Sequence, residues 1–333
     1  MPRRGVRCWE ELLPDALGLI FRKLPLQETL TVVPRVCRSW RKVVAGPYCW
    51  QEIDIEEWCM HCKQDQMHRM LQLLLGRSSG SLRKLAVYAV PDDAIFSFIA
   101  DHGASLDSLR VPKSRLSDAI FDQVAEKFQK LTSLDISYCE NMGARALEAI
   151  GRHCKSLVSL KRAMHPLGVL DRSCQDDEAM AIAKTMPQLK HLEMAYVLLT
   201  TSGVRTIVTA CRELEFLDVR GCWDVKLEGE EWLAKRQLEK GLKVLGPEVV
   251  DRYDLHYLES CSDDEDDEWG SIGDEDYHLD WDLYDDADIM LENFDGSSDG
   301  MWDEDQDLDG LELRLYVASD DSDHGIGWGP GSP

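Results

Sequence analysis

Apolar residues fall in three short stripes across residues 9–50. Leu13, Leu17, Ile20, Phe21 and Leu24 recur at i, i+4, i+7, i+8 and i+11, one face of a helix. Pro14 stands where a first helical residue would, since its missing N–H has no partner there in any case. Pro25 ends the stripe, because proline disfavours helix at the residue before it. A shorter segment carries Leu26, Leu30 and Val33. A third opens at Pro34, with Val33, Val36, Cys37, Trp40 and Val44 as its stripe; Gly46-Pro47 then breaks the chain and Trp50 follows. Some forty residues of helix cannot bury a self-sufficient core. Part of their apolar surface must be covered by the next domain and part by another protein, so the pattern predicts a helical docking module.

Beyond Trp50 the period changes. A short frame recurs: Leu, two residues, Leu, one residue, apolar. It reads Leu82-Leu85-Val87, Leu106-Leu109-Val111, Leu131-Leu134-Ile136, Leu157-Leu160, Leu189-Leu192-Met194, Leu214-Leu217-Val219 and Leu242-Leu245. Trp50-Ile53-Ile55 fits as an earlier copy. Successive copies start 24 to 32 residues apart, and leucine-rich repeats have a period of about 20–29 with one short strand per turn. Between the strands lie helical stripes: Ile95, Phe98 and Ile99; Leu147, Ile150 and Cys154; Val204, Ile207, Val208 and Cys211. Cys139 and Cys222 each follow the second Leu of their copy by five residues and are expected to fill small buried slots. The copy at Leu157 departs from the frame, with Arg162 at an apolar position and about six extra residues after it. Insertions in a solenoid become loops on one face, often the binding face. Arg162, His165 and Leu167 are therefore nominated as a target-contact patch, with Tyr196 and Trp223, just past strand ends, as further candidates.

Charge divides the chain of 333 residues. It holds 37 basic and 62 acidic side chains, for a net charge of −25. Of these, 2 and 29 lie from Asp251 onward, which leaves 35 and 33 in residues 1–250. The body is therefore near neutral, at +2, and the acid is a tail. Such a tail repels itself too strongly to fold alone and is expected to be disordered. Trp269, Tyr277, Trp281, Tyr284, Phe294 and Trp302 punctuate it, a composition suited to many weak contacts with a basic surface. The balance makes duplex nucleic acid an improbable partner. No apolar run reaches the roughly 20 residues of a membrane span, and no signal-peptide core follows the basic N-terminus. The 11 cysteines are sparse and odd in number, as expected for reduced thiols in the nucleus or cytoplasm.

Residues 13–50 carry a leading Leu13-Pro14, the Ile20-Phe21 pair, Leu24-Pro25, Val36-Cys37, Trp40 and the terminal Trp50. In that order they resemble an F-box. The resemblance implies docking on a Skp1-type adaptor and, through it, a cullin. It places Leu13, Pro14, Leu17, Ile20, Leu24, Pro25, Val36 and Cys37 against the adaptor. Across residues 1–250, "GPYCWQEIDIE", "FSFIA", "AIGRHCKSL", "RGCWDV" and "KVLGP" are similar to plant F-box proteins with leucine-rich repeats, the FBW subgroup in particular. The implied fold is α/β: a three-helix F-box, a curved leucine-rich-repeat solenoid of about seven repeats, and a disordered acidic C-terminal tail. The boundaries are a leader over 1–8, the F-box over 9–52, the repeats over 53–250 and the tail over 251–333. The implied role is the substrate-recognition subunit of an SCF-type E3 ubiquitin ligase, which tethers a protein target for ubiquitination and proteasomal degradation. The alternatives are a repeat protein outside any cullin ligase and an acidic chaperone of basic proteins.

Catalytic motifs are lacking: no phosphate-cradling Gly-rich loop, no Gly-x-Ser-x-Gly and no His-Glu-x-x-His occurs. Neither an enzyme nor a cofactor is expected. Cys59-Met-His-Cys62 has the spacing of half a zinc site but no second half, so no metal site is assigned. Asp305, Asp307, Asp309 and Gly310 begin like a calcium loop, but the twelfth position is Tyr316 rather than Glu.

Overall fold

The computed structural model describes Trp9 and residues 12–165 and 174–247. The leader over 1–8, Leu167, the calcium-like stretch at 305–310 and the acidic tail lie outside the described residues.

The docking module is built as its stripes require. Helix α1 runs over Pro14–Phe21 with the proline in its first turn, and α2 over Leu26–Thr31 follows Pro25. The third predicted helix forms in two pieces. Helix α3 covers Val33–Val36 and α4 covers Arg38–Ala45, because Cys37 between them is fully extended (φ −159°, ψ 168°). Leu17, Phe21, Val33, Val43 and Val44 point inward.

Eight parallel strands follow in one sheet, ordered as in the chain: β1 (Glu52–Asp54), β2 (Lys84–Ala86), β3 (Ser108–Arg110), β4 (Ser133–Asp135), β5 (Ser159–Lys161), β6 (His191–Glu193), β7 (Phe216–Asp218) and β8 (Lys243–Leu245). The eighth beyond the expected seven is β1, made by the Trp50-Ile53-Ile55 copy. The register runs through the second residue of the frame in seven strands, as Ile53, Leu85, Leu109, Leu134, Leu160, Leu192 and Leu217 pair in sequence. A one-residue slip would turn these central residues outward, so the buried column fixes the register. The last copy departs from the expected frame by one residue: Leu217 pairs with Val244, not with Leu245, which stands opposite Asp218.

Helices cover the other side: α5 (Glu56–Cys59), α6 (Gln64–Ser78), α7 (Asp93–Asp101), α8 (Asp118–Val124, continued by a 3-10 turn over Ala125–Phe128), α9 (Ala144–His153), α10 (Asp176–Thr185), α11 (Thr201–Ala210) and α12 (Glu231–Lys240). A single apolar core runs from Leu17 to Leu242, so the helical module shares its interior with the repeats. Trp50 is the joint. Its indole Nε1 donates to the Val44 carbonyl at 2.7 Å, and the Arg77 guanidinium of α6 stands over its ring at 5.9 Å.

Polar links tie successive helices. The first residue of α7, Asp93, accepts from the backbone N and hydroxyl of Ser117, which precedes α8. Asp118, the first residue of α8, accepts from Gly143 N at 2.8 Å and Ala146 N at 3.2 Å at the start of α9. Asp176, the first residue of α10, accepts from Thr200 N and Oγ1 at the start of α11. Each carboxylate thereby satisfies an N–H that the next helix leaves open. The series breaks at α9, whose first residue is Ala144.

Arg162 fills that break, and its position corrects the expectation of surface contact. It is 0% exposed. Its Nε and Nη2 meet both Glu178 oxygens, at 3.2 and 3.1 Å. Nη1 donates to the Cys139 carbonyl and Nη2 to that of Met142, in the turn before α9. Arg162 sits at the inward position that Val111 and Ile136 hold in earlier repeats. A buried guanidinium there demands partners, and the fold supplies them on both neighbouring repeats.

Candidate functional site

Two surfaces carry the sequence-nominated residues. The first lies on the helical module. Leu13 is 72% exposed and Val36 56%; Ile20 and Leu24 are also exposed, as are Pro14 and Pro25, and Cys37 is half-buried. Leu17 is the exception. It is 0% exposed and belongs to the core, because its place in the stripe faces α4 and the repeats. The pattern did not separate the inner edge of a helical stripe from its outer edge. Leu12, Leu19 and Val32, which the sequence reading did not nominate, are exposed beside the others. So many large apolar side chains open to water on about forty residues mark an interaction surface.

The second surface is the rim past the C-terminal ends of the strands. His165 is half-buried there, after β5, with its ring edge-on to Tyr138 at 6.5 Å between centroids. Burial and the Lys113 charge hold the His165 imidazole below its ordinary pKa. Tyr196 follows β6 in the left-handed region (φ 59°), and its ring lies so close to Gly221 that a Cβ there would stand 2.2 Å from Cδ1. Gly221 itself has φ 71°, so glycine is required twice over. Trp223, after β7, is 50% exposed. His165, Tyr196 and Trp223 thus follow three consecutive strands.

The sequence reading missed Tyr88, Lys113 and Tyr138 on the same rim. Lys113 stands over the Tyr88 ring at 5.9 Å. Ala89, Lys113, Tyr138, Tyr196 and Gly221 each lie four residues past the central Leu of their strand, and all have positive φ. That recurring offset was the available signal. Charges along the strand faces are largely paired: Arg110 with Glu56 at 3.0 Å, Lys161 with Glu193 at 3.0 Å and Arg220 with Asp218 at 2.7 Å.

The thiols are structural where they are buried. Cys139 and Cys222 are fully enclosed, as expected, and donate to the Val111 and Met194 carbonyls. Burial pushes Cys139 up to about 11 and Cys154, Cys211 and Cys222 up to about 12. Thiolate, the nucleophile, is thereby suppressed. Cys59 closes the short helix α5, and Cys62 lies just after it, its thiol donating to the Cys59 carbonyl at 3.6 Å. The neighbouring Cys62 thiol and burial push Cys59 up, while the proximity of Cys59 pulls Cys62 down against its own burial. Among the described residues, no three His, Cys, Asp or Glu side chains are grouped to share a metal ion. No helix among them is long and apolar enough to cross a membrane.

Comparison with known proteins agrees with this architecture. The F-box-like family matches residues 11–56, the span of the exposed apolar surface. The Arabidopsis thaliana F-box protein FBW2 is 50% identical over 301 residues, covering 90% of this chain and 92% of its own length. The chain belongs to the plant F-box/leucine-rich-repeat family. Two further F-box proteins of the same plant are similar to it. SKIP19 is 31% identical over 78% of this chain and 87% of its own length; SKIP1 is 33% identical over 64% and 79%. The similarity to FBW2 extends far past the F-box and takes in the repeats.

Proposed function

We propose that this F-box protein is the substrate-recognition subunit of an SCF-type E3 ubiquitin ligase. The F-box, over 9–52, docks on a Skp1-type adaptor and through it on a cullin. The repeats, over 53–250, hold a protein target for ubiquitination and degradation. The observation that carries this reading is the cluster of exposed apolar residues within the F-box match, Leu13, Ile20, Leu24 and Val36 above all. Burying one such side chain is worth about 1.5–3 kcal/mol, so a handful suffices for a stable complex. The chain contributes proximity rather than chemistry: it raises the target's local concentration near a ubiquitin-charged enzyme held elsewhere in the assembly. The rim residues His165, Tyr196 and Trp223, with Tyr88 and Tyr138, are the proposed target contacts. Aromatic side chains are favoured anchors in such interfaces. The partners are proteins, not nucleic acid or membrane, and the site of action is the nucleus, the cytoplasm or both.

Adaptor pull-down tests the reading. Leu24→Ala combined with Pro25→Ala, both exposed, is expected to weaken adaptor capture at least tenfold while leaving the melting temperature nearly unchanged. Undiminished capture by the double variant would overturn the assignment.

A further inference from the structure

The F-box surface is basic as well as apolar. Its described residues, 12–50, include six Lys or Arg and only Asp15 and Glu28 as acids. Lys23, Arg35, Arg38, Arg41 and Lys42 are all exposed. Every ion pair among the described residues lies between Glu52 and Glu239, so none involves an F-box side chain, and the F-box carries a net charge of +4 over its described residues. Along the chain some of these cations stand next to exposed apolar residues. Lys23 adjoins Leu24 and Pro25, and Arg35 adjoins Val36.

The same chain carries a segment with the complementary chemistry. From Asp251 it holds 29 acids against two basic residues. Its aromatics are embedded in that acid: Glu268-Trp269, Asp276-Tyr277, Asp280-Trp281-Asp282, Tyr284-Asp285, Phe294-Asp295 and Trp302-Asp303. Each pairs an apolar ring with a carboxylate, as the F-box pairs an apolar side chain with a cation. Reach is adequate. The sheet from β8 back to β1 spans seven steps of about 4.8 Å, or roughly 34 Å. A flexible chain of that segment's length has a root-mean-square extent of about 50 Å. Attachment to the same molecule keeps the effective concentration high, so individually weak contacts suffice.

We propose that the acidic, aromatic segment from Asp251 onward docks on the F-box of its own chain, against its exposed side chains Lys23, Leu24, Arg35, Val36 and Arg38. Carboxylates meet cations that form no ion pair among the described residues, and rings cover the exposed aliphatic residues. Docking there competes with whatever else binds this face. Resting on the function proposed above, that competitor is the adaptor, and the segment lowers adaptor affinity until it is displaced.

Zero-length carbodiimide coupling of lysine amines to carboxylates tests the docking directly, on the full chain and without any adaptor. Mass spectrometry is expected to find Lys23 and Lys42 joined to carboxylates beyond residue 251. The yield should fall several-fold between 0.05 and 0.5 M salt as screening shortens the reach of charge. In the Arg35→Glu, Arg38→Glu variant the Lys23 and Lys42 links should be lost, while links from Lys240, beside the segment's origin, persist. Both substituted side chains are exposed, and the variant's melting curve checks its fold. Mixing isotopically light and heavy chains separates links within a molecule from links between molecules. Links confined to repeat lysines, or found only between molecules, would overturn the proposal. Adaptor affinity of the full chain and of a chain ending at Val250 supplies the second readout, with the shorter chain expected to bind at least threefold tighter. If neither chain binds adaptor while the Lys23 and Lys42 links form, the docking stands and the adaptor reading fails.

Discussion

Arg162 shows how one residue is governed by its surroundings. Its guanidinium satisfies two carbonyls of one repeat and the Glu178 carboxylate of the next. Burial pushes the Glu178 carboxyl up, against the pull of Arg162 and Gln175. Truncation of one partner strands the other's charge, so Arg162→Ala is expected to cost about 3–5 kcal/mol in urea unfolding. Arg162→Met with Glu178→Leu should recover most of that loss, because neither charge is then left buried alone. A smaller recovery would mean that the carbonyl contacts, not the pair, dominate. The thiols make a second prediction at this scale. Each buried Cys holds its proton more tightly in the folded chain, up to about 11 or 12, than in the unfolded one. The folded state therefore binds more protons above the ordinary thiol pKa, and stability falls as pH rises from about 9 toward 12. Urea midpoints measured over that range should decline. Alkylation at pH 8 should mark Cys62 and the exposed Cys174 well before Cys139 or Cys222.

Among elements, the strand frame was legible because one inward Leu per turn is an unambiguous demand. Strand pairing follows that column from β1 to β7 and is displaced by one residue from the expected frame only at β8, where Val244 rather than Leu245 meets Leu217. The links between helices were not legible. Asp93, Asp118 and Asp176 are ordinary helix-start residues in the sequence; only the stacking of repeats brings each to the open N–H groups of the next helix. Asp118→Ala removes two such bonds and is expected to cost about 1–2 kcal/mol, with Asp118→Asn intermediate. A loss below about 0.3 kcal/mol would show that water replaces the carboxylate. Helix packing is equally local in its demands. At Gly151 of α9 an added Cβ would stand 2.0 Å from Thr185 Oγ1 of α10, so Gly151→Val should destabilise by about 1–3 kcal/mol through overpacking.

At the scale of the whole molecule, the F-box is also the end cap of the solenoid. Phe21, Val44 and Trp50 continue the core that the repeats begin, and a repeat array needs a terminal unit that closes it. Residues 12–247 are therefore expected to melt in a single transition. Trp50→Ala, which empties the joint, should cost about 3–5 kcal/mol and lower the melting temperature of the repeats as well as the F-box. A mutant that melts in two steps, with the repeats unmoved, would show the modules to be independent. The division of charge belongs to this scale too. The +2 body and the −27 remainder are one chain, and each raises the other's local concentration.

By itself the sequence determined the repeat frame, the helical module and the place of the acid, because periodicity and charge are properties of neighbours along the chain. Tertiary structure alone decided which stripe residues face water. Leu17 and Leu13 belong to one stripe, yet one is core and the other lies open, since the repeats cover only the inner side. It also decided the fate of Arg162. A cation at an apolar position reads as a surface residue until two adjacent repeats bring four oxygens around it, and those oxygens come from residues up to 23 positions away.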